Sequence, residues 1–560
     1  MWSLTFVVIV ILTISLLYGS YKRRLYMIDK INSEYGGKPR DFYKDFDMSF
    51  VKKYYKTRIE NEEVIDSVDE LTWNDLDMDS VFKRTNYTNT TLGEAYLYYK
   101  YRNIDYNFKN WDNIEDLIDG FMKNKNLRIN TKLNLMKVGK ISDDKFIDFI
   151  YSPNFNKIRG YYKYPLLSLG LILSILSIFI NFNIGIGLTI FFMCTNILVY
   201  QSAKSYLEEN FNVMIYLLNN IKLSEKLSKI KDKDFNVFRE KFEDTLTKSS
   251  KVKKIKIYSS MLSKNNGGIL SDIEIITDYI KMFFMIDIIS YQNISKILEK
   301  NKDYLYSICD LVAQVDFSLS IAYYRESVDE YVNPEFTEDN IMIIENIYHP
   351  LIDNPIKNSI TINNNIIFTG SNASGKSTFI KAVALNCIMA QSLNMALCSK
   401  YKARFSKVVT SMAIRDNILE GDSYFIAEIK SLKRLIDSLN NSNIPILAFI
   451  DEILKGTNTI ERISASAAIL KYAIKTNVRL LVATHDIELT EMIESGYDNY
   501  HFRETVTDND VYFDYKIKFG PSTTRNAIKL LKVMNFNSDI VNDSNYIYDS
   551  FIENKKWLKL

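Results

Sequence analysis

The hydrophobic pattern changes character several times along the chain. Residues 2–18 are almost entirely apolar and are followed by Tyr21, Lys22, Arg23 and Arg24. A cleaved secretory leader carries its positive charge ahead of the apolar run; here the charge follows it, and no small-residue cleavage site is evident. The run sits near the lower length limit for a hydrocarbon layer about 30 Å thick. The trailing cations orient it with the N-terminus outside. Residues 25–160 are polar and tyrosine-rich, with a capped amphipathic helix predicted over 88–100. A second apolar block, 165–200, breaks at Asn181-Phe182-Asn183 into two runs and reads as a transmembrane hairpin. Lys157, Arg159 and Lys163 flank its start and Lys204 its end, on the same side as Lys22–Arg24. A buried helical hairpin in a soluble core is the alternative, because each run is only about 16 residues long. Cys194 and Asn196, in the second run, read as packing or interhelical hydrogen-bonding residues. Residues 205–340 have helical periodicity, including a long helix over about 303–328, and Pro334 ends the region.

From residue 345 the period alternates between strands and helices, predicting an α/β domain with a largely parallel sheet. Apolar runs at 365–368, 446–450 and 479–484 read as its buried strands.

With 560 residues, 47% of them hydrophobic, the chain can form about three or four domains with sizeable cores. The formal net charge of +2 provides no global field for nucleic acid. A local cluster, Lys248, Lys251, Lys253, Lys254 and Lys256, is either a nucleic-acid surface or a solvated, membrane-proximal face. Cys194, Cys309, Cys387 and Cys398 form no C-x-x-C pair, so neither a disulfide framework nor a zinc site is indicated.

The chemistry concentrates in the alternating region. Residues 369–378 read T-G-S-N-A-S-G-K-S-T, which fills G-x-x-x-x-G-K-S with Gly370, Gly375, Lys376 and Ser377 between a strand and a helix. Such a loop turns backbone N–H groups onto a phosphate, and the helix N-terminus adds partial positive charge. Lys376 reaches the β- and γ-phosphates and Ser377 supplies a hydroxyl to Mg²⁺. The strand 446–450 delivers Asp451 to a metal and places Glu452 to polarise water. The strand 479–484 ends in His485, positioned for the γ-phosphate or that water. Ser423 opens a further predicted helix and reads, taken alone, as an N-cap.

Together these stretches resemble the MutS family of DNA mismatch repair ATPases. The resemblance is carried by the phosphate loop and its helix (369–391), F-I-D-E-I-L-K-G-T-N-T (449–459), A-T-H-D-I-E-L-T (483–490), G-D-S-Y-F-I-A-E-I (421–429), Tyr348-His349-Pro350-Leu351 and Y-K-I-K-F-G-P-S-T-T-R-N-A-I-K-L (515–530). Their order and spacing agree over roughly 345–540. Upstream, 313–336 is similar to the long-helix core that precedes the ATPase in that family. Departures are Ser371 for a usual proline, Leu454-Lys455 for a Gly-Arg pair and Tyr348 for an arginine. The Phe-x-Glu wedge of the mismatch-reading domain has no counterpart ahead of the core, and no nuclease-like domain is seen after it.

The resemblance implies a multidomain protein: an α/β ABC-type P-loop ATPase domain at the C-terminus, preceded by an all-α MutS-core-like region interrupted by membrane segments. The expected divisions are an anchor at 1–21, a soluble cytoplasmic helical region at 22–160, a transmembrane hairpin at 161–203, a helical lever at 204–340 and the ATPase at 341–560, with three transmembrane helices in all. ATP and Mg²⁺ are the implied cofactors. Gly370, Ser371, Asn372, Ser374, Gly375, Lys376, Ser377, Thr378 and Gln391 would bind nucleotide, with Ser423 reaching it from the partner of a homodimer. Ser377 and Asp451 would hold the metal, and Glu452 and His485 would catalyse hydrolysis. The expected partners are mismatched or branched DNA and the lipid bilayer, with the chain a multi-pass cell-membrane protein and its ATPase cytoplasmic. The competing reading is a membrane-bound mechanochemical or scaffolding ATPase that does not bind DNA. A transporter ranks below both, since the apolar runs hold no acid or base to form a pathway.

Overall fold

The computed structural model describes residues 2–38, 47–106, 111–141, 145–158, 160–247, 271–371, 374–412, 424–441, 444–476, 478–493, 495–506, 511–522 and 527–559. The chain forms two compact units. The first comprises residues 1–63, 85–99 and 108–328, and the second residues 64–84, 100–107 and 329–560.

The first unit is helical. Its central helix, Lys302–Ser327, is apolar on most faces and buries residues from Tyr304 to Ser327. Among the polar groups this helix carries inward is Asp316, which is fully buried. Its carboxylate accepts hydrogen bonds from the backbone N–H groups of Asn89 (3.0 Å) and Thr90 (2.7 Å) and from the Thr90 hydroxyl (2.7 Å). Those donors stand at the start of the helix Thr91–Arg102, where the first N–H groups have no partner inside the helix. Burial pushes the Asp316 carboxyl up, against the pull of those hydrogen bonds.

The apolar block forms two antiparallel helices, Lys163–Ser177 and Phe182–Leu227. Between them the Asn181 side chain caps the second helix by accepting from the Ile184 N–H at 3.3 Å. Gly185 sits against the chain at Ser177 and Ile178, where a Cβ would stand 2.4 Å from the Ile178 nitrogen. Asn196 donates to the Phe283 carbonyl at 2.8 Å, the interhelical role its sequence position suggested. The second helix has two halves of opposite character. Phe182, Ile184, Phe191 and Leu198 are exposed, whereas Leu207, Val213, Met214, Leu217 and Ile221 are buried in the unit.

The expectation of three transmembrane helices is corrected. Among the described residues two helices are long and apolar enough to cross a membrane, Phe182–Glu208 and Lys302–Ser327. The latter was not an expected span, and 78% of its apolar window is buried, as suits a core helix; the former is 11% buried. The other hairpin arm, Lys163–Ser177, is apolar but short, because the Asn181 cap starts a new helix soon after it. Residues 2–34 are one helix, Trp2–Glu34; the side chains of 1–13 lie outside the described residues.

The second unit is α/β. Its strands are β1 Glu335–Phe336, β2 Met342–Ile347, β3 Asn358–Ile362, β4 Asn365–Thr369, β5 Lys400–Ala403, β6 Lys407–Ser411, β7 Ile446–Asp451, β8 Val478–Ala483, β9 Tyr497–His501, β10 Glu504–Val506, β11 Val511–Phe513 and β12 Lys518–Phe519. Six of them form the main sheet in the order β12-β9-β4-β8-β7-β6, parallel except for β12. β4 is buried along its whole length, as its continuous apolar run requires of a central parallel strand. One face of the sheet packs Ile367, Val409, Ile446, Ala448, Ile450 and Val482 with Leu432, Leu435 and Leu470.

The edge strand β6 is covered by a segment from far upstream. The short helix Glu70–Asp75 lies along it, and Asp75 Oδ2 accepts from the Thr410 hydroxyl (2.7 Å) and the Met412 N–H (2.9 Å). Lys407 pairs with Asp66 at 2.7 Å, and Arg434 pairs with Asp69. A bare sheet edge exposes unpaired backbone groups, so this segment completes the sheet.

Candidate functional site

Parallel strands carry their loops to one edge, and register decides which loops meet there. Phe368 on β4 and Asp451 on β7 both stand level with Ala483 on the intervening β8. The residues just beyond these positions therefore share one crevice: the phosphate loop after β4, Glu452 after β7 and His485 after β8.

The loop leaves β4 through Gly370, whose φ of +135° is open to glycine. A Cβ there would stand 2.3 Å from the Phe502 carbonyl oxygen. The Ser371 hydroxyl donates to Glu504 at 2.8 Å, and the Ser374 hydroxyl donates to the Ser371 carbonyl at 2.7 Å. Gly375, also at positive φ, starts the helix Lys376–Leu393. The Lys376 ammonium is turned onto the loop, donating to the carbonyls of Gly370 (2.6 Å) and Ser371 (2.7 Å). Burial pushes this lysine down to about 8, against the pull of Glu452, Asp451 and Glu504. Ser377 is half-buried beside it and Thr378 is exposed.

Across the crevice, Glu452 has a left-handed backbone (φ 63°), fixed by its N–H donating to the Ala483 carbonyl at 2.9 Å. Its carboxylate meets His485 Nε2 at 2.8 Å and Lys455 Nζ at 3.4 Å. Burial raises the Glu452 carboxyl, but the His485 and Lys455 contacts outweigh it and hold the group below the usual glutamate range. The histidine loop is clamped from the next residue: Asp486 receives both Arg462 Nε (2.9 Å) and Nη2 (2.6 Å). Arg462 belongs to the helix Thr459–Ala473, whose N-terminus Asn458 caps. Glu428, buried on the helix Tyr424–Asn441, accepts from the Lys455 N–H at 3.0 Å.

A cavity of about 350 Å³ adjoins the loop, lined among others by Tyr348, His349, Ile356, Thr378, Phe379 and Tyr515. Its size and mixed aromatic and apolar lining suit a flat heterocycle. Burial, with Lys381 and Arg84 nearby, pushes His349 down to about 4 and keeps it neutral.

The structure thus brings together Gly370, Ser371, Ser374, Gly375, Lys376, Ser377, Thr378, Asp451, Glu452 and His485. It does not bring Gln391 there. That residue lies near the far end of its helix, where its side-chain amide oxygen accepts the Ser406 N–H at 2.8 Å; at 1.5 Å per residue it is about 22 Å along from Lys376. Asn372 and Ser423 lie outside the described residues. Sequence reading missed Glu504, Tyr515, Glu428 and the Arg462–Asp486 clamp. Only Asp486 had a local signal, as the acid directly after the histidine.

The donor set fits a nucleoside triphosphate: a glycine-bounded loop, a lysine at a helix N-terminus, a hydroxyl on the next residue and a carboxylate opposite. Among the described residues no three His, Cys, Asp or Glu form a metal cage. Ser377 and Asp451 would hold Mg²⁺ only together with phosphate oxygens and water.

Fold and crevice define a nucleotide-binding α/β domain with its ligand loops at the carboxyl ends of a parallel sheet. Residues 366–551 match the family model described as MutS domain V. The DNA mismatch repair protein MutS of Fusobacterium nucleatum is 31% identical over 286 residues, covering 47% of this chain and 31% of that protein. Human MutS protein homolog 4 is 30% identical over 279 residues, covering 46% of this chain and 29% of its own length. MutS of Thermotoga maritima is 28% identical over 275 residues, covering 47% and 34%. Residues 366–551 are thus similar to MutS domain V, and the chain spans about a third of the length of these relatives.

Proposed function

We propose that this chain binds and hydrolyses ATP, working as a homodimer of the MutS type on mismatched or otherwise non-standard DNA, and that the helical hairpin holds it in a membrane. The observation that supports the ATPase reading is the convergence of Lys376, Asp451, Glu452 and His485 at one sheet edge. The loop N–H groups and Lys376 bind the phosphates. The 350 Å³ cavity takes the base. Ser377 and Asp451 would hold Mg²⁺, which would supply charge neutralisation at the phosphate oxygens. Glu452 orients and deprotonates water, and His485 sets the rotamer and charge of Glu452. Ser423 reaches the nucleotide of the partner protomer.

The DNA reading rests on the family and on the names of the relatives, which are DNA mismatch repair proteins. The lysine cluster 248–256 lies outside the described residues. A second reading, a membrane-bound mechanochemical ATPase that does not touch DNA, is favoured by the exposed apolar hairpin and the net charge of +2. One experiment separates them: DNA binding by the purified chain, with and without ATP, on mismatched, branched and plain duplexes at two salt concentrations. Nucleotide-dependent, salt-sensitive binding that prefers one DNA structure supports the first reading. Intact ATP hydrolysis with no duplex bound supports the second.

A further inference from the structure

Where the helical hairpin meets the rest of its unit, the surface changes from apolar to basic and aromatic. Phe179 and Ile180 at the tip are 86% and 89% exposed, and Leu166, Leu173, Phe191 and Leu198 continue that exposed apolar surface. At its other end stand Tyr162 and Tyr206, both exposed, with Lys163 over the Tyr164 ring and Lys204 over the Tyr200 ring. Aromatic rings and lysines in this arrangement suit the boundary between hydrocarbon and water.

At that boundary a cavity of about 510 Å³ opens between the two helices and the segment before them. Lys157 and Lys163 line it on one side, and Ser202 and Tyr206 on the other. The segment carrying Lys157 is pinned on both flanks. Tyr291 donates to the Asn156 carbonyl at 3.3 Å, and the Ile158 N–H donates to Gln292 at 3.2 Å. Neither Lys157 nor Lys163 forms an ion pair among the described residues. The nearby acid Asp287 accepts from the Tyr200 hydroxyl at 2.9 Å. Two ammonium groups without an acid partner, a hydroxyl and a phenol thus face a cavity bounded by apolar helices, a lining that complements a phosphate joined to acyl chains.

We propose that this cavity, lined by Lys157, Lys163, Ser202 and Tyr206 at the base of the hairpin, binds the headgroup of an anionic phospholipid. The inference rests on the membrane reading above and goes beyond it, from a hydrophobic anchor to a site that distinguishes lipid charge. The lysines take the phosphate, Ser202 and Tyr206 offer hydroxyls to its ester or glycerol oxygens, and the acyl chains lie along the exposed apolar surface.

The test uses the full chain. Flotation with phosphatidylcholine vesicles first asks whether it is membrane-integral. The detergent-solubilised chain is then titrated with phosphatidylglycerol, phosphatidylcholine or inorganic phosphate while its thermal midpoint is followed. Phosphatidylglycerol should raise the midpoint and the other two should not. Each lysine near an anionic lipid surface is worth about fivefold in affinity, so Lys157→Ala with Lys163→Ala should weaken phosphatidylglycerol binding about 25-fold. Lys226→Ala, at an exposed lysine near the far end of the helix Phe182–Leu227, should leave it unchanged. A chain that stays wholly soluble and does not float overturns the membrane reading and this site together. A membrane-integral chain that responds equally to both lipids, or whose double variant binds as the parent does, overturns the site alone. Equal stabilisation by inorganic phosphate would make it a free-phosphate site and overturn the lipid assignment.

Discussion

Glu452 and His485 face each other at 2.8 Å, ring Nε2 to carboxylate oxygen, across the ends of two adjacent parallel strands. The contact ties the carboxylate proposed to activate water to the histidine at the end of the neighbouring strand. It also holds the Glu452 carboxyl below its usual range, with help from Lys455.

Replacing His485 with Ala should therefore act on Glu452 as well as on the transition state. Turnover should fall about a hundredfold. The acid limb of the pH–rate profile should move to higher pH, because the carboxyl loses a partner that favours its charged form. Steady-state kinetics across pH check both. An unmoved limb would mean that the histidine does not tune the glutamate. Glu452→Gln should retain ATP binding and lose hydrolysis, leaving ATP trapped in a closed dimer; hydrolysis at the parent rate would remove Glu452 from the mechanism.

Lys376 gives the site a second pH dependence, of opposite sense. With its ammonium pushed down to about 8 in the free protein, a growing fraction is neutral above that pH. A triphosphate favours the charged form. ATP affinity should thus be flat below about pH 7 and fall as pH rises through 8, with proton uptake on binding. Calorimetric titration in two buffers of different ionisation enthalpy measures that uptake. Lys376→Ala should abolish hydrolysis and the pH dependence together.

Asp75 predicts a stability effect in a segment with no part in the chemistry. Asp75→Ala would leave the Thr410 hydroxyl on β6 and the Met412 N–H just after it without this acceptor. The expected loss is about 2 kcal/mol, read from denaturant unfolding of the α/β unit. The isosteric Asp75→Asn should recover part of it, since its amide oxygen still accepts.

Gly93→Ala tests the other unit. A Cβ there would stand 2.3 Å from Asp316 Oδ2, the oxygen that receives the Thr90 N–H and hydroxyl. The substitution should cost about 2 kcal/mol by pushing the carboxylate off the helix start. The neighbouring Ala95 is also fully buried, so Ala95→Gly is a control that loosens packing without touching the cap.

Much of the site was legible because its residues are local. A strand, a glycine-bounded loop and a lysine follow one another in sequence, and the acids and the histidine each end an apolar run, so side-chain alternation and strand length placed them. What escaped depends on contacts between distant segments. Glu504 meets Ser371, Arg462 meets Asp486 and Tyr515 borders the loop, none with a local pattern that says so. The stretch 72–76 has no local pattern that marks its place, yet it closes a sheet edge far downstream. Gln391 shows the converse: a resemblance of sequence carried it to the nucleotide, while helical rise puts it on Ser406. Hydropathy also overcounted spans. The break at Asn181 was legible, but not that the arm before it ends at Ser177 and is too short to count as a span.

The helix Phe182–Leu227 runs unbroken from the exposed hairpin into the helical unit, 46 residues or about 69 Å. One rod thus carries two apolar stripes, an outer one that is exposed and an inner one that is buried, and its winding fixes their phase. Inserting a single residue near Gln201 would rotate one stripe against the other by about 100°, whereas a seven-residue insertion would nearly restore the phase and lengthen the rod by about 10 Å. The helix accordingly transmits an angle as well as a distance. A twist imposed on the buried stripe would arrive at the hairpin as a turn of its outer face, so the two ends are geared to each other.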